Sequence, residues 1–308
     1  MPQASIDERT ASEPAGDRTS ALQSGALEER RVAPERVHAL LGLEETLHGR
    51  LDRRPRLYGI LIVVGASVGA ILFGTGLGRA VAVAAGQDDL AGPAGSLGGD
   101  LAGTAFLVGL LWRRGWWREV GFGGPSTWRS LRLLAFPALL ASVLAVGGIA
   151  SLDLSDPARL ALKLSGTLLT GFWEEGFTRG LLLSLLLVAA LRGGRGPMGA
   201  VFLSAVVFGL FHLVAVPLGK ELGPSLAQVA TATLFGIGFG ALLLRTNALW
   251  LLAGLHALGN LGSALRGRTD PSDDFQAFFL LSELVLAVYG LFLLRRVKSG
   301  DRAAAQNE

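Results

Sequence analysis

Glu174 and Glu175 stand side by side in Gly171-Phe172-Trp173-Glu174-Glu175-Gly176-Phe177-Thr178-Arg179-Gly180, inside an otherwise apolar run from Leu160 to Leu191. Charged groups at membrane depth cost roughly several kcal/mol each unless paired or hydrated, so they usually mark function. On a helix, Glu175 and Arg179 are four apart and share a face, with the acid first, the favoured order for an ion pair. Glu174 points about 100° away from Glu175 and is free to project elsewhere. Glu175 and Arg179 thus read as a buried pair that shapes a site, and Glu174 as its chemically active carboxylate. Two later apolar runs contribute Phe208 to His212 and His256 to Asn260. His256 and Asn260 again share a helical face.

A carboxylate and an imidazole can together deprotonate a water and later return the proton to a leaving amine. A second histidine with an asparagine supplies donors for a developing oxyanion. Peptide-bond hydrolysis inside a membrane fits this set. A metal version is open as well, with Glu174, His212 and His256 holding Zn²⁺ and leaving one position for water. No His-Glu-x-x-His motif supports it. Absence of cysteine excludes disulfides, thiolate zinc sites and a cysteine nucleophile.

These residues need membrane helices to hold them. Half of the 308 residues are hydrophobic and 17% are charged, and the apolar residues fall in long uncharged runs. That pattern predicts an all-α polytopic membrane protein. Forty-three glycines suit closely packed transmembrane helices. From Arg56 onward eight membrane-length segments are expected, near 57–82, 97–112, 131–151, 160–191, 198–217, 226–245, 248–265 and 275–294. Asp156-Pro157 reads as N-cap and first helical residue of the fourth, and Pro197 as the opening of the fifth. The 160–191 run would be about 48 Å long as one helix, more than a bilayer core of about 30 Å needs. Its first part is therefore expected along the interface, with the true span starting near Thr167. Glu174, His212, His256 and Asn260 then lie ~10, ~8, ~14 and ~8 Å from the same face. Glu283 and Arg79 sit near predicted span ends and read as snorkelling or structural groups outside the site.

Residues 1–55 form a separate cytoplasmic segment by this reading. Met1 to Gln23 is polar, expected to be disordered, and lacks the apolar stretch of a secretory signal. Pro34 to Leu51 carries leucines at helical spacing, and residues 299–308 read as a disordered tail. The membrane domain occupies 56–298. Arginines gather before the first span, around the second connection, and after the fourth, sixth and eighth spans. The alternate connections carry Asp88, Asp89, Asp153, Asp156 and the cluster Asp270, Asp273, Asp274, with Arg266 and Arg268 the counter-signal. The positive-inside rule then puts both termini in the cytoplasm and the site nearer the opposite face. A net charge of +3 gives no reason to expect nucleic acid as a partner.

At Glu174-Glu175-x-x-x-Arg179, Phe208-x-x-x-His212 and His256-x-x-x-Asn260 the chain resembles the CPBP intramembrane family, which includes the type II CAAX prenyl endopeptidases. The resemblance spans roughly residues 100 to 295 and includes Val120-Gly121-Phe122. It implies that Glu174 and His212 activate the water, that His256 and Asn260 stabilise the oxyanion, and that Glu175 and Arg179 support the site. It also implies a membrane-associated protein or peptide substrate, a bacterial-type inner membrane location, and either metal-free or metal-dependent chemistry. Some members of the family are linked to bacteriocin self-immunity, so a non-proteolytic membrane scaffold is the alternative. A proton-coupled transporter is a third reading, against which stands the lack of internal repeats.

Overall fold

The computed structural model describes residues 55–124, 127–150, 152–192, 196–217, 219–265 and 273–305. The surface helix expected over Pro34 to Leu51 lies outside them. Long helices follow one another: α1 (Pro55–Ala84), α2 (Ala91–Arg114), α3 (Ala135–Ile149), α4 (Pro157–Glu175), α5 (Leu183–Arg192), α6 (Met198–Phe211), α7 (Leu222–Thr246), α8 (Leu249–Leu265) and α9 (Asp273–Ala305). A π-helical turn, Gly176–Leu182, joins α4 to α5 without a break. No β-strand occurs among the described residues. The fold is that of an all-α polytopic membrane protein.

Six helical segments are long and apolar enough to cross a membrane: Val64–Ala84, Asp88–Arg114, Ser130–Ile149, Met198–Ala215, Leu222–Thr246 and Gln276–Arg295. The other two predicted spans are also helical but fall short by this measure. One is α8, whose apolar part, Leu249–Gly262, is short. The other is the α4–α5 passage, which carries Arg159, Lys163, Glu174, Glu175 and Arg179. These two hold most of the chemistry, and functional polar groups lower the hydropathy of a span.

Cross-connections show that the chain alternates between two faces. On one face Arg159 Nη2 donates to the Asp89 carbonyl at 2.6 Å, and the Asp153 amide donates to the Leu265 carbonyl at 3.4 Å. On the other, Asn247 Nδ2 donates to the Gly124 carbonyl and Trp250 Nε1 to the Phe122 carbonyl, at 3.3 and 3.2 Å. Gly121 in that second group has φ of 102°, a left-handed conformation that a residue with a Cβ adopts only with strain. The turn lets Phe122 pack against Phe172 and Trp250, at 5.3 and 4.5 Å.

The α4 helix departs from expectation at its start. Asp156 caps it, its Oδ1 accepting from the Arg159 amide at 3.0 Å, and Pro157 follows at the first position. The helix then runs unbroken past Thr167 to Glu175. Glu174 therefore sits roughly 25 Å from the start of α4, near the middle of the passage. Thr167 returns its hydroxyl to the Lys163 carbonyl at 2.9 Å, so a polar residue there costs the helix no backbone bond. The expected tail differs too, since α9 continues to Ala305. Arg302 and the three alanines after it are good helix formers and no proline stops them.

Small residues set which helices touch. A Cβ on Gly74 would lie 2.2 Å from the Gly98 carbonyl, which marks the α1–α2 contact. Gly171 of α4 fits against Ala253 and Ala257 of α8, and Gly262 of α8 against Leu144 of α3. The contacts at Gly262 are backbone atoms, 2.4 Å to the Leu144 carbonyl oxygen, and backbone has no rotamer by which to give way. Gly262→Leu is accordingly expected to cost about 3 kcal/mol or more. A lowered melting temperature in detergent, absent for Leu at open Gly109, is the check.

Candidate active site

The π-turn follows directly on the two carboxylates. Widening the helix by one residue per turn frees carbonyls from their usual amide partners, and such turns recur at functional sites. Side-chain hydroxyls take up the freed groups here. Thr178 Oγ1 donates to the Glu174 carbonyl at 2.6 Å, and Ser204 Oγ of α6 donates to the Thr178 carbonyl at 2.9 Å. Ser184 returns its hydroxyl to the Gly180 carbonyl. The Ser204 bond ties α6, which carries Phe208 and His212, to the segment that carries Glu174. Ser204 is 4% exposed, and its loss leaves the Thr178 carbonyl with the Leu183 amide as its partner. Ser204→Ala is expected to lower stability by about 1 kcal/mol, measurable as a shift in detergent unfolding, with Ser204→Thr closer to the parent protein.

Arg179 lies below Glu175 and is 1% exposed at its side chain, with Glu175 at 0%. Its Nη1 stands 2.9 Å from Glu175 Oε1 and donates to Thr178 Oγ1 at 2.7 Å. The guanidinium also rests over the rings of Phe208 and Phe235, 4.1 and 5.1 Å from their centroids. Such contacts offset part of the desolvation of a buried cation. The predicted i,i+4 pair thus forms even though a π-turn begins between its members.

Glu175 Oε1 has a second partner. His256 Nδ1–H donates to it at 2.8 Å, from α8. A carboxylate can only accept when ionised, which places a ring proton on Nδ1, and in the neutral ring Nε2 then carries the lone pair. That Nε2 faces Glu174, at 3.7 Å from Oε2. Glu174 keeps 16% of its side chain exposed, so it is the less enclosed of the two acids. The neighbour of Glu174 within the site is therefore His256. His212 Nδ1–H donates to the Phe208 carbonyl at 3.1 Å, and its ring meets the Phe208 ring edge-on at 5.2 Å. Phe208 also lies edge-on to His256, at 6.3 Å, so both imidazoles pack on one aromatic ring. Asn260 follows His256 by one turn of α8 and is partly buried.

Zinc was the alternative occupant of Glu174, His212 and His256. Among the described residues no three His, Cys, Asp or Glu side chains converge closely enough to hold one ion. His256 and His212 engage Nδ1 with Glu175 and with a carbonyl, which leaves Nε2 of each ring as the nitrogen a metal would take.

Residues 157–262 match the family model described as type II CAAX prenyl endopeptidase Rce1-like. This segment is similar to Rce1-like domains. The match supports the CPBP family and, at family level, a CAAX-type intramembrane protease. No curated protein and no solved structure matches the chain. The matched segment runs from the first residue of α4 into the last turn of α8 and holds every predicted site residue.

Two acids outside the matched segment reach its centre and were not assigned to the site from sequence. Glu283 of α9 is 6% exposed and lies in the electrostatic field of Arg179, so it faces the bundle interior instead of snorkelling outward. Glu283 lies ten residues after Asp273 and twelve before Arg295, too deep in α9 to reach an interface. Asp100 of α2 accepts a hydrogen bond from Trp173 Nε1 at 2.8 Å and lies in the field of Glu174. The signal for Asp100 was present, as it is the one acid inside the predicted 97–112 span.

Proposed function

We propose that the protein is an intramembrane endopeptidase in which Glu174 and His256 share the activation of one water. The observation that carries the reading is the 3.7 Å separation of Glu174 Oε2 from His256 Nε2, with His256 held from behind by Glu175. With the ring neutral both facing atoms are acceptors, and 3.7 Å is too long for a direct hydrogen bond. A water lying beside the pair reaches both atoms at about 2.8 Å and can donate a proton to each. Glu174 takes the proton as the water attacks the amide carbonyl, then returns it to the leaving amine. Arg179 and Glu175 fix the tautomer and tilt of His256, as a carboxylate does behind a catalytic imidazole. His212 and Asn260 are the remaining polar groups of the Rce1-like motifs, and we assign them to the carbonyl oxygen as charge develops there.

The substrate is a membrane-associated protein or peptide, because the site lies at membrane depth in a bundle whose outer surface is apolar. Comparing membrane proteomes of the parent strain and a Glu174→Gln strain names it, with uncut precursors accumulating in the variant. Unchanged precursors together with an intact cellular role would instead favour the scaffold or immunity reading. We place both termini in the cytoplasm, with the arginine-rich connections, in a bacterial-type inner membrane. Reporter fusions in the 219–225 connection test this orientation, and cytoplasmic labelling there reverses it.

A further inference from the structure

Along α4, Lys163, Thr167, Thr170 and Glu174 recur at spacings of four, three and four, and all are partly buried. On a regular helix they fall within roughly 60° of arc. Gly166 and Trp173, which face Asp100 and Gly103 of α2, lie roughly 80° to one side of this stripe. Gly171, packed on Ala253 and Ala257 of α8, lies roughly 70° to the other. The stripe therefore faces the seam between α2 and α8.

The α2 wall of that seam is polar as well. Asp100 accepts hydrogen bonds from Trp173 Nε1 and from the Thr170 hydroxyl. One turn further along α2, Thr104 Oγ1 is buried and makes no hydrogen bond within the protein. A buried hydroxyl without a partner is a place where water binds. At the other end of the stripe, Lys163 lies in the field of Asp153, in the connection before α4. The polar file thus starts at the face that carries Asp89, Asp153 and Asp156 and ends at Glu174.

We infer that Lys163, Thr167, Thr170 and Asp100 line a water path that crosses the apolar bundle and supplies the hydrolytic water at Glu174. Asp100 is the positioning residue of this path, holding Thr170 and Trp173 at its narrow end. The inference rests on the proposed role of Glu174 for its purpose but not for its existence. A hydrolase enclosed by lipid consumes one water per turnover and needs a hydrated route to its base. A file of hydroxyl and carboxyl groups alternates donors and acceptors at the scale of single waters.

The chain has no cysteine, so a single introduced thiol is read without background. Thr167→Cys, Thr170→Cys and Leu168→Cys are placed in proteoliposomes and exposed, from each face in turn, to a cationic membrane-impermeant methanethiosulfonate. Leu168 is 69% exposed on the outer side of α4 and serves as the lipid-facing control. Thiolate forms where water reaches, so Thr167→Cys and Thr170→Cys should react at least about ten-fold faster than Leu168→Cys, and from one face. Adding Asp100→Leu should slow labelling of Thr170→Cys by about the same factor. Labelling of both threonine positions no faster than Leu168→Cys overturns the path. Should Thr170→Cys not fold, Thr167→Cys carries the test alone. Labelling needs no catalysis and is repeated with Glu174→Gln present. Fast labelling beside undiminished hydrolysis in Glu174→Gln would leave the path standing and remove the proposed catalytic role.

Discussion

Glu174→Gln should lower peptide-bond hydrolysis by about two to four orders of magnitude, the range expected when a general base is removed. Glutamine keeps the volume and one acceptor but has no negative charge to take the proton of the attacking water. The fold should survive, because Glu174 keeps part of its side chain exposed and glutamine preserves its volume. Neutralising it even removes a like charge beside Glu175. Hydrolysis rate and melting temperature, measured on the same preparation, separate the two effects: a large fall in rate with an unchanged or slightly raised melting point is the expected pair. His256→Ala should show a comparable fall in rate. It should also lose stability, since Glu175 Oε1 would lose one of its two partners. Activity in Glu174→Gln within ten-fold of the parent protein would refute the assignment.

The second large effect concerns stability. Arg179→Met should destabilise the bundle by about 3–5 kcal/mol, because Glu175 would remain buried as an uncompensated charge. Glu175→Gln leaves the guanidinium in the same position and should cost a similar amount. The double variant, Glu175→Gln with Arg179→Met, should cost less than the sum of the two, with a coupling of about 1–3 kcal/mol. Equilibrium unfolding in detergent of all four proteins measures that coupling. Additive losses would mean the pair is not a unit. Glu283 extends the test, since it shares the field of Arg179 from α9. Glu283→Gln should therefore soften the cost of Arg179→Met, which no isolated Glu175–Arg179 pair would produce.

Much of this molecule was legible before any coordinates. Long uncharged runs determine a helical membrane protein because lipid offers no partner for an open backbone. A four-residue interval on a helix determines that Glu175 and Arg179 meet, since both lie on one face wherever the helix goes. Asp156-Pro157 determines where α4 begins, because a side-chain acceptor and a missing amide solve the orphan donors of a first turn. Each of these is a local rule, complete within a few residues of chain.

The rest is a matter of which helices are neighbours, and no period along one helix records that. Glycines at 74, 98, 171 and 262 let particular pairs of backbones approach, so α8 lies against α4 and brings His256 to both glutamates. Sequence named His212 as the partner of Glu174, and packing also sets His256 Nε2 3.7 Å from Glu174 Oε2. The same packing turns Glu283 inward and sets Asp100 opposite Thr170, from helices outside the matched domain. Sequence spacing orders side chains around one axis. Only close packing of several axes decides which of those side chains share a site.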